Sequence, residues 1–436
     1  MEKLLLAYYG DDFTGSTDAL EFLCRAGAKT ALFIEPPTLE QLQLYPNLDA
    51  IGVAGKTRAL APIEMGQTLT SAFEQLKILN PKHVHYKVCS TFDSSASIGS
   101  IGKAIDIGSA IFNSVYVPII GGTPHLGRYC VFGNLFARMG IGSKGNIHRL
   151  DRHPSMSRHP VTPMHESDLR VHLHKQTDKK IGLIDILQLD RPVDDWQVDM
   201  QENDSIILVD VLHEHQLIKI GEWLDSQYEN DNPVFSVGGS SVEMALGKYW
   251  YNGKVLSPKY EWPIIGEARP LLVISGSCSP VTATQIAWAL AHEFHEIVID
   301  ATAVCDSNDI ESIINVYVSE AISIIQENRS VIVHTGHKTV ENLSSEKLGT
   351  ALGLTAKAIV EKAAIKRVVI SGGDTSSYAA RAMEIEAVEM MAPLVVGAPL
   401  CQASSKNMAI HGLEVNFKGG QVGGEDYFGV LLSGKI

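Results

Sequence analysis

Cysteine is scarce: six residues in a chain of 436, at Cys24, Cys89, Cys130, Cys278, Cys305 and Cys401. No pair has CxxC spacing, so neither a zinc knuckle nor a dithiol redox motif organises the protein. Such sparse usage suits a reducing compartment. Long hydrophobic runs are absent too. No stretch reaches the roughly 18 apolar residues that a membrane span needs. The apolar start, Met1–Tyr9, meets Gly10-Asp11-Asp12, too short and too soon acidic for a signal peptide. The chain is therefore expected in the cytoplasm, with no membrane partner. Basic charge is also short, with 36 Lys plus Arg against 50 Asp plus Glu and a net charge of −14. A surface that coats nucleic acid needs clustered cations, so that class is excluded. Small anions are not, because backbone N–H groups and a few local cations can hold them.

What is present is a recurring unit: a short apolar run, a glycine-containing turn, then a helical pattern. Strand-like runs fall at 4–9, 30–34, 50–53, 84–88, 115–120, 180–186, 205–209 and 234–237. Helical patterns lie between several of them, at 16–26, 62–79 and 213–228. Strands alternating with helices imply βαβ units. Ile206-Ile207-Leu208-Val209 is continuously apolar, as a strand buried on both faces should be. The pattern lapses over Tyr251–Pro270, and a second series follows at 271–275, 296–299, 330–334, 367–370 and 394–396. The expectation is an α/β protein of two α/β/α domains with mainly parallel sheets, residues 1–258 and 259–436, and an active-site cleft between them. Gly127–Asp168 is the least regular segment. Its His148, His153, His159 and His165 match no zinc spacing, and it reads as a polar loop lining or capping a site.

Chemistry-bearing residues gather where strand-like runs end. Gly10-Asp11-Asp12-Phe13-Thr14-Gly15-Ser16-Thr17-Asp18 follows the first run and opens the first helix. Paired carboxylates there can accept sugar hydroxyls, hold a metal or take a proton, although one of them is explained as a helix cap. Gly55-Lys56-Thr57 resembles the end of a Walker A loop, but its first glycine would fall on Ala50, inside a strand. Arg58 beyond it suits a substrate carboxylate. Lys87-Val88-Cys89-Ser90-Thr91-Phe92-Asp93 offers a cation, hydroxyls and a carboxylate, a set matched to a small polyhydroxy acid. Ser275-Gly276-Ser277-Cys278-Ser279 and Ser371-Gly372-Gly373-Asp374-Thr375 both run from a strand through a small-residue turn into a helix. That geometry aims N–H groups at an anion, and two such turns point to a nucleotide phosphate site. Lys418-Gly419-Gly420 and Gly397 allow close backbone approach to the same ligand. No G-x-G-x-x-G follows any strand in this reading, which argues against a dinucleotide dehydrogenase.

Taken in order, these motifs resemble the four-carbon acid sugar kinase family over nearly the whole chain. The resemblance also covers His159-Pro160-Val161-Thr162-Pro163-Met164. It implies an N-terminal substrate domain and a C-terminal ATP domain, with phosphoryl transfer to threonate, erythronate, 3-oxo-tetronate or a related branched acid. By position it implies Asp11, Arg58 and Lys87, Ser90, Thr91 and Asp93 at the acid sugar. It implies Ser277, Gly372, Gly373, Asp374, Thr375 and Gly397 at ATP, joined by Ser275, Lys418, Gly419 and Gly420. The expected chemistry makes Asp11 or Asp12 the base or hydroxyl orienter, Arg58 and Lys87 the carboxylate partners, and Asp374 the residue that positions Mg²⁺. Tyr8-Tyr9-Gly10 replaces the Ile-Ala of many members, and Lys56-Thr57 replaces small hydroxyl residues, both on the substrate side. The rival classes are a sugar-acid sensor and a dehydrogenase using the same cleft. A homo-oligomer is left open.

Overall fold

The computed structural model describes residues 3–139, 145–159, 161–197, 204–307, 309–336 and 343–435. It contains two compact units: Met1–Thr30 with Glu35–Lys259, and Ala31–Ile34 with Tyr260–Ile436. Among the described residues no helix is long and apolar enough to cross a membrane.

In the first unit seven parallel strands lie in the order Ala50–Ala54, Leu6–Gly10, His83–Lys87, Val234–Gly238, Val117–Ile120, Asp204–Val209 and Lys180–Ile184. The first four are buried at every residue, which requires cover on both faces. The helices supply it in two groups. Phe13–Ala26, Leu217–Ser226 and Ser241–Asn252 pack together, as do Pro62–Ile78 and Ile101–Ile111. Local signals set their ends. Asp12 caps Phe13–Ala26 and Gly27, at φ 95°, stops it. Pro62 opens the next long helix. Phe73 is surrounded by Tyr9, Tyr86, Phe112 and Phe235, an aromatic core beneath the sheet's central strands.

The segment read as a polar loop holds a second, antiparallel sheet of Arg128–Val131, Asn134–Arg138 and Ile147–Arg149. Its first hairpin turns at Phe132 and Gly133, with φ values of 50° and 80°. Two positive φ values suit a tight hairpin, but Phe-Gly carries none of the Asn-Gly signal by which such a turn is read.

In the second unit five strands run parallel in the order His295–Val298, Val331–His334, Leu272–Ser275, Arg367–Ser371 and Glu414–Lys418. Ala398–Ser404 and Ala387–Val395 extend them as an antiparallel hairpin. The last strand is Thr30–Phe33, antiparallel to Ala387–Val395. By sequence order it belongs to the first half, and nothing local in Thr30-Ala31-Leu32-Phe33 says which sheet it joins. Leu271, Val273, Ile286, Leu400, Tyr427 and Phe428 share the unit's buried core.

Candidate active site

In the first unit, the strand register sets Gly10 beside Ala54 and Lys87, and Lys87 beside Gly238. The turns that leave these strands meet at the carboxyl edge of the sheet, where open α/β sheets bind ligands. Asp11, Asp12, Arg58, Lys87, Ser90, Thr91 and Asp93 all sit on those turns or at those strand ends.

The two adjacent carboxylates have different surroundings. Asp12 Oδ1 accepts from the Gly15 amide at 2.8 Å, and Oδ2 accepts from Thr14 Oγ1 at 2.9 Å. Arg58 Nη2 lies 2.7 Å from the same Oδ2. Burial works against this charge, but Arg58, Lys87 and the hydrogen bonds outweigh it and hold the carboxyl below its ordinary range. Asp12 is an ionised anchor for the helix and for Arg58. Gly15 is required beside it, because a Cβ there would come 2.5 Å from Asp12 Oδ1 and 2.6 Å from Lys87 Nζ.

Asp11 is 3 % exposed. Its Oδ2 accepts from the Cys89 amide at 3.3 Å, while Oδ1 is buried without a partner. Burial pushes its pKa up to about 7, against the pull of Arg58 and Lys87 and with help from the charge of Asp12. A carboxylate at that pKa with a free lone pair can take a proton from a hydroxyl near neutral pH. Burial likewise opposes the charge of Lys87, but Asp18, Asp12 and Asp11 reverse that and raise its pKa. On the neighbouring turn, Thr91 Oγ1 donates to Asp93 Oδ1 at 2.8 Å and lies 3.1 Å from Cys89 Sγ.

Under this site lie Asp18, which the first motif contains but to which the sequence assigns no role, and His85 and Glu243, which no motif marks. Asp18 Oδ2 accepts from Ser240 Oγ at 2.5 Å. His85 and Glu243, both fully buried, share a hydrogen bond of 2.5 Å, and His85 Nε2 donates to the Gly238 carbonyl at 3.2 Å. A signal was available: Val237-Gly238-Gly239-Ser240-Ser241 is the same strand, glycine, hydroxyl and helix pattern as the two turns singled out in the second half. Thr57 of the Walker-like segment packs inward and hydrogen-bonds Tyr86 OH at 2.9 Å, a structural role. Two histidines of the irregular segment are committed to local backbone. His153 Nδ1 accepts from the Ser155 amide, and His159 Nδ1 from the Thr162 amide. Pro160 lies outside the described residues. So do residues 140–144, which with Gly145 spell a G-x-G-x-x-G. Against the expectation, this match does follow a strand, Asn134–Arg138, but the next element is the antiparallel strand Ile147–Arg149 and not a helix, so it lacks the context of a dinucleotide motif.

In the second unit the register sets Ser275 beside Ser371, and Ser371 beside Lys418. The three turns that follow pack tightly. A Cβ at Gly276 would overlap Thr375 Oγ1, one at Gly372 would lie 2.8 Å from it, and one at Gly420 would lie 2.9 Å from Ser277 Oγ. Gly372, at φ 121°, also needs glycine's freedom. Ser279 caps the helix Pro280–Leu290, and Gly372 precedes the helix Gly373–Ala382. Asp374 is exposed in the first turn of the latter. Gly397 forms the tip of the hairpin that joins Ala387–Val395 to Ala398–Ser404. Leu400 pairs with Asn416, which carries that tip to the end of the sheet where Lys418 lies. Lys418 itself is fully buried. Its Nζ donates to Thr282 Oγ1 at 3.0 Å and Ser371 Oγ at 3.2 Å, and burial lowers its pKa to about 7. It lies under the turns, among hydroxyls.

Among the described residues, no three His, Cys, Asp or Glu side chains are grouped to hold a metal. A Mg²⁺ ion carried by nucleotide phosphates needs only one or two protein carboxylates, and the exposed Asp374 fits that smaller demand.

Comparison with known proteins adds the following. Residues 6–246 match a family described as a sugar-binding N-terminal domain, and residues 272–428 one described as a nucleotide-binding C-terminal domain. The chain is 40 % identical over 454 residues to a 3-oxo-isoapionate kinase of Paraburkholderia graminis, covering 99 % of this chain and 95 % of that one. It is 25 % identical to a 3-oxo-tetronate kinase of Pseudomonas fluorescens, covering 98 % and 96 %. A solved structure from Salmonella typhimurium LT2 shares 25 % identity and a TM-score of 0.77, covering 98 % of each chain. One from Haemophilus influenzae, at 20 % identity and a TM-score of 0.69, has the same fold over 97 % of this chain and 98 % of that one.

Proposed function

We propose that this chain, which belongs to the four-carbon acid sugar kinase family, transfers the γ-phosphoryl group of ATP to a hydroxyl of a small oxo sugar acid. Residues 1–258 hold the acid in this reading and residues 259–436 hold the nucleotide. The observation that carries it is Asp11: a buried carboxylate with one unpartnered oxygen and a pKa of about 7, set among cations at the end of a parallel sheet. Phosphoryl transfer leaves the protein mainly positioning and charge neutralisation. Asp11 orients the acceptor hydroxyl and takes its proton as the O–P bond forms. Asp12 stays ionised and fixes Arg58. Ser90, Thr91 and Asp93 hydrogen-bond the remaining hydroxyls, while Arg58 and Lys87 supply positive potential for the acid. On the nucleotide side, amides of the turns after Ser275 and Ser371 cradle phosphate oxygens, with Ser277, Gly373, Thr375, Gly397, Gly419 and Gly420 beside them. Asp374 would hold Mg²⁺, which would supply neutralisation of the phosphate charge. Lys418 supports the cradle from below through Thr282 and Ser371.

The 40 % likeness to a 3-oxo-isoapionate kinase, against 25 % to the 3-oxo-tetronate enzyme, favours a branched oxo-acid as substrate. The test is an ADP-release screen across 3-oxo-isoapionate, 3-oxo-tetronate, threonate and erythronate. The highest kcat/KM is expected on 3-oxo-isoapionate. ATP binding without ADP release on any acid would favour a sensor. Binding of NAD in place of ATP would favour a dehydrogenase.

A further inference from the structure

We propose that Arg128 recognises the carboxylate of the acid substrate, carried to the Asp11 site by the antiparallel sheet of the first unit. The inference rests on the kinase reading above and names the group that selects acids. It begins with the cations near the site. Arg58 is paired with Asp12 at 2.7 Å, and Lys87 is held by the fields of Asp18, Asp12 and Asp11. Arg128 differs from both. It is 8 % exposed, yet it makes no ion pair among the described residues. Nη1 donates to two backbone carbonyls, Leu126 O at 2.7 Å and Arg138 O at 3.3 Å, and Nε is buried with no acceptor. A buried guanidinium keeps its charge, and a buried charge is costly until a counter-ion arrives. Its planar fork suits a carboxylate.

Its position is also built. Gly127, at φ 71°, closes the turn before it, and Thr123 and Arg128 exchange backbone hydrogen bonds of 2.9 and 3.1 Å. Thr123 lies against the site, since a Cβ on Gly239 would fall 2.8 Å from Thr123 Oγ1 and 3.6 Å from the Ser90 Cα. Burial lowers the pKa of Arg128, and Cys89 and Asp93, on the turn assigned to the acid, oppose that shift. The next hairpin is tied down where Phe132 and Gly133 donate to the buried Asp210 at 2.5 and 2.9 Å. The sheet therefore holds the guanidinium in one place, as a recognition group requires.

The test compares the preferred acid with its neutral carboxamide, in the wild type, Arg128→Lys and Arg128→Gln. The wild type is expected to prefer the acid. Arg128→Gln is expected to raise the KM for the acid about 10- to 100-fold, the worth of a charge-assisted hydrogen-bonded pair. The KM values for ATP and for the carboxamide should stay unchanged, and Arg128→Lys should fall between. An undiminished acid preference in Arg128→Gln overturns the proposal. So does an equal loss on acid and amide with a lowered Tm, which marks a purely structural arginine. A crystal structure of the wild type with the acid decides the matter independently of how the variants fold. A guanidinium about 3 Å from the carboxylate is expected, and a carboxylate held elsewhere overturns it. A wild-type protein that phosphorylates no acid overturns the kinase reading itself, which is a different result from a kinase that keeps its acid preference without Arg128.

Discussion

The two ligand sites proposed for this chain are built from opposite materials. In the first unit the sheet edge carries formal charge: Asp11, Asp12, Asp18, Arg58 and Lys87 are buried or half-buried at or just beyond the ends of neighbouring strands. In the second unit the corresponding edge is made of Ser275, Ser277, Thr282, Ser371, Thr375 and tightly packed glycines, with Lys418 the buried cation among them. The difference follows from the ligands. A small acid whose hydroxyl must lose a proton needs a base and fixed counter-charges in a desolvated place. A polyphosphate already carries its charge and its metal, and it is held by amides and close backbone approach. The net charge of −14 hides this contrast, because the positive potential is local in one unit and dipolar in the other.

The contrast can be broken in several ways. Asp11→Asn should have the largest effect, a fall in kcat of about 10²- to 10⁴-fold, the range for loss of a general base. Steady-state kinetics should show it with the KM for ATP unmoved. Gly276→Val should act on the other ligand only. Its side chain would overlap Thr375 Oγ1, so calorimetry should show ATP affinity lost by about tenfold or more while the acid still binds, the cost of a shifted turn being of order 1–3 kcal/mol. Asp12→Asn keeps a good N-cap but removes the charge that holds Arg58. Urea denaturation should register a loss of about 1–3 kcal/mol, with kcat reduced far less than in Asp11→Asn.

The last comparison concerns pH, and the two units should give opposite signs. Asp11 has a folded pKa of about 7, above its unfolded value near 3.8. Between those values the folded state holds the extra proton, so its contribution to stability falls as pH rises from about 4 to 7. Lys418 has a folded pKa of about 7, below its unfolded value of 10.5. Between those values the unfolded state holds the extra proton, so its contribution rises with pH from about 7 to 10. Denaturation of Asp11→Asn and Lys418→Met across pH should flatten the first and second windows respectively.

Much of this was legible in the sequence because the pattern was local. In stretches such as Leu6–Gly10 and Leu272–Ser275 an apolar run ends in Gly or Ser, so strand, turn and helix start could be read from about a dozen residues. Family resemblance then ordered the turns. Partners that depend on distant chain could not be read. Thr30–Phe33 joins a strand more than 350 residues away. Asp11 and Asp12 look alike in sequence, and only the positions of the Cys89 amide and of Arg58 set them apart, as the proposed base and its anchored neighbour. Arg128 was hidden in a segment read as loop, because its hairpin turns on Phe132-Gly133. Gly238-Gly239-Ser240 was legible and overlooked, having the same form as the turns that were noticed.

In the proposed mechanism adjacent carboxylates divide the work, Asp11 as base and Asp12 as scaffold. The most direct measurement is the pH dependence of kcat/KM for the acid in the wild type, Asp11→Asn and Asp12→Asn. The account predicts a wild-type rate that falls tenfold per pH unit below an apparent pKa of about 7. It predicts that this limb survives in Asp12→Asn, moved to lower pH by loss of a neighbouring negative charge, and disappears with most of the rate in Asp11→Asn. An Asp11→Asn enzyme that keeps both its rate and its acid limb, beside an Asp12→Asn enzyme that loses them, would contradict it.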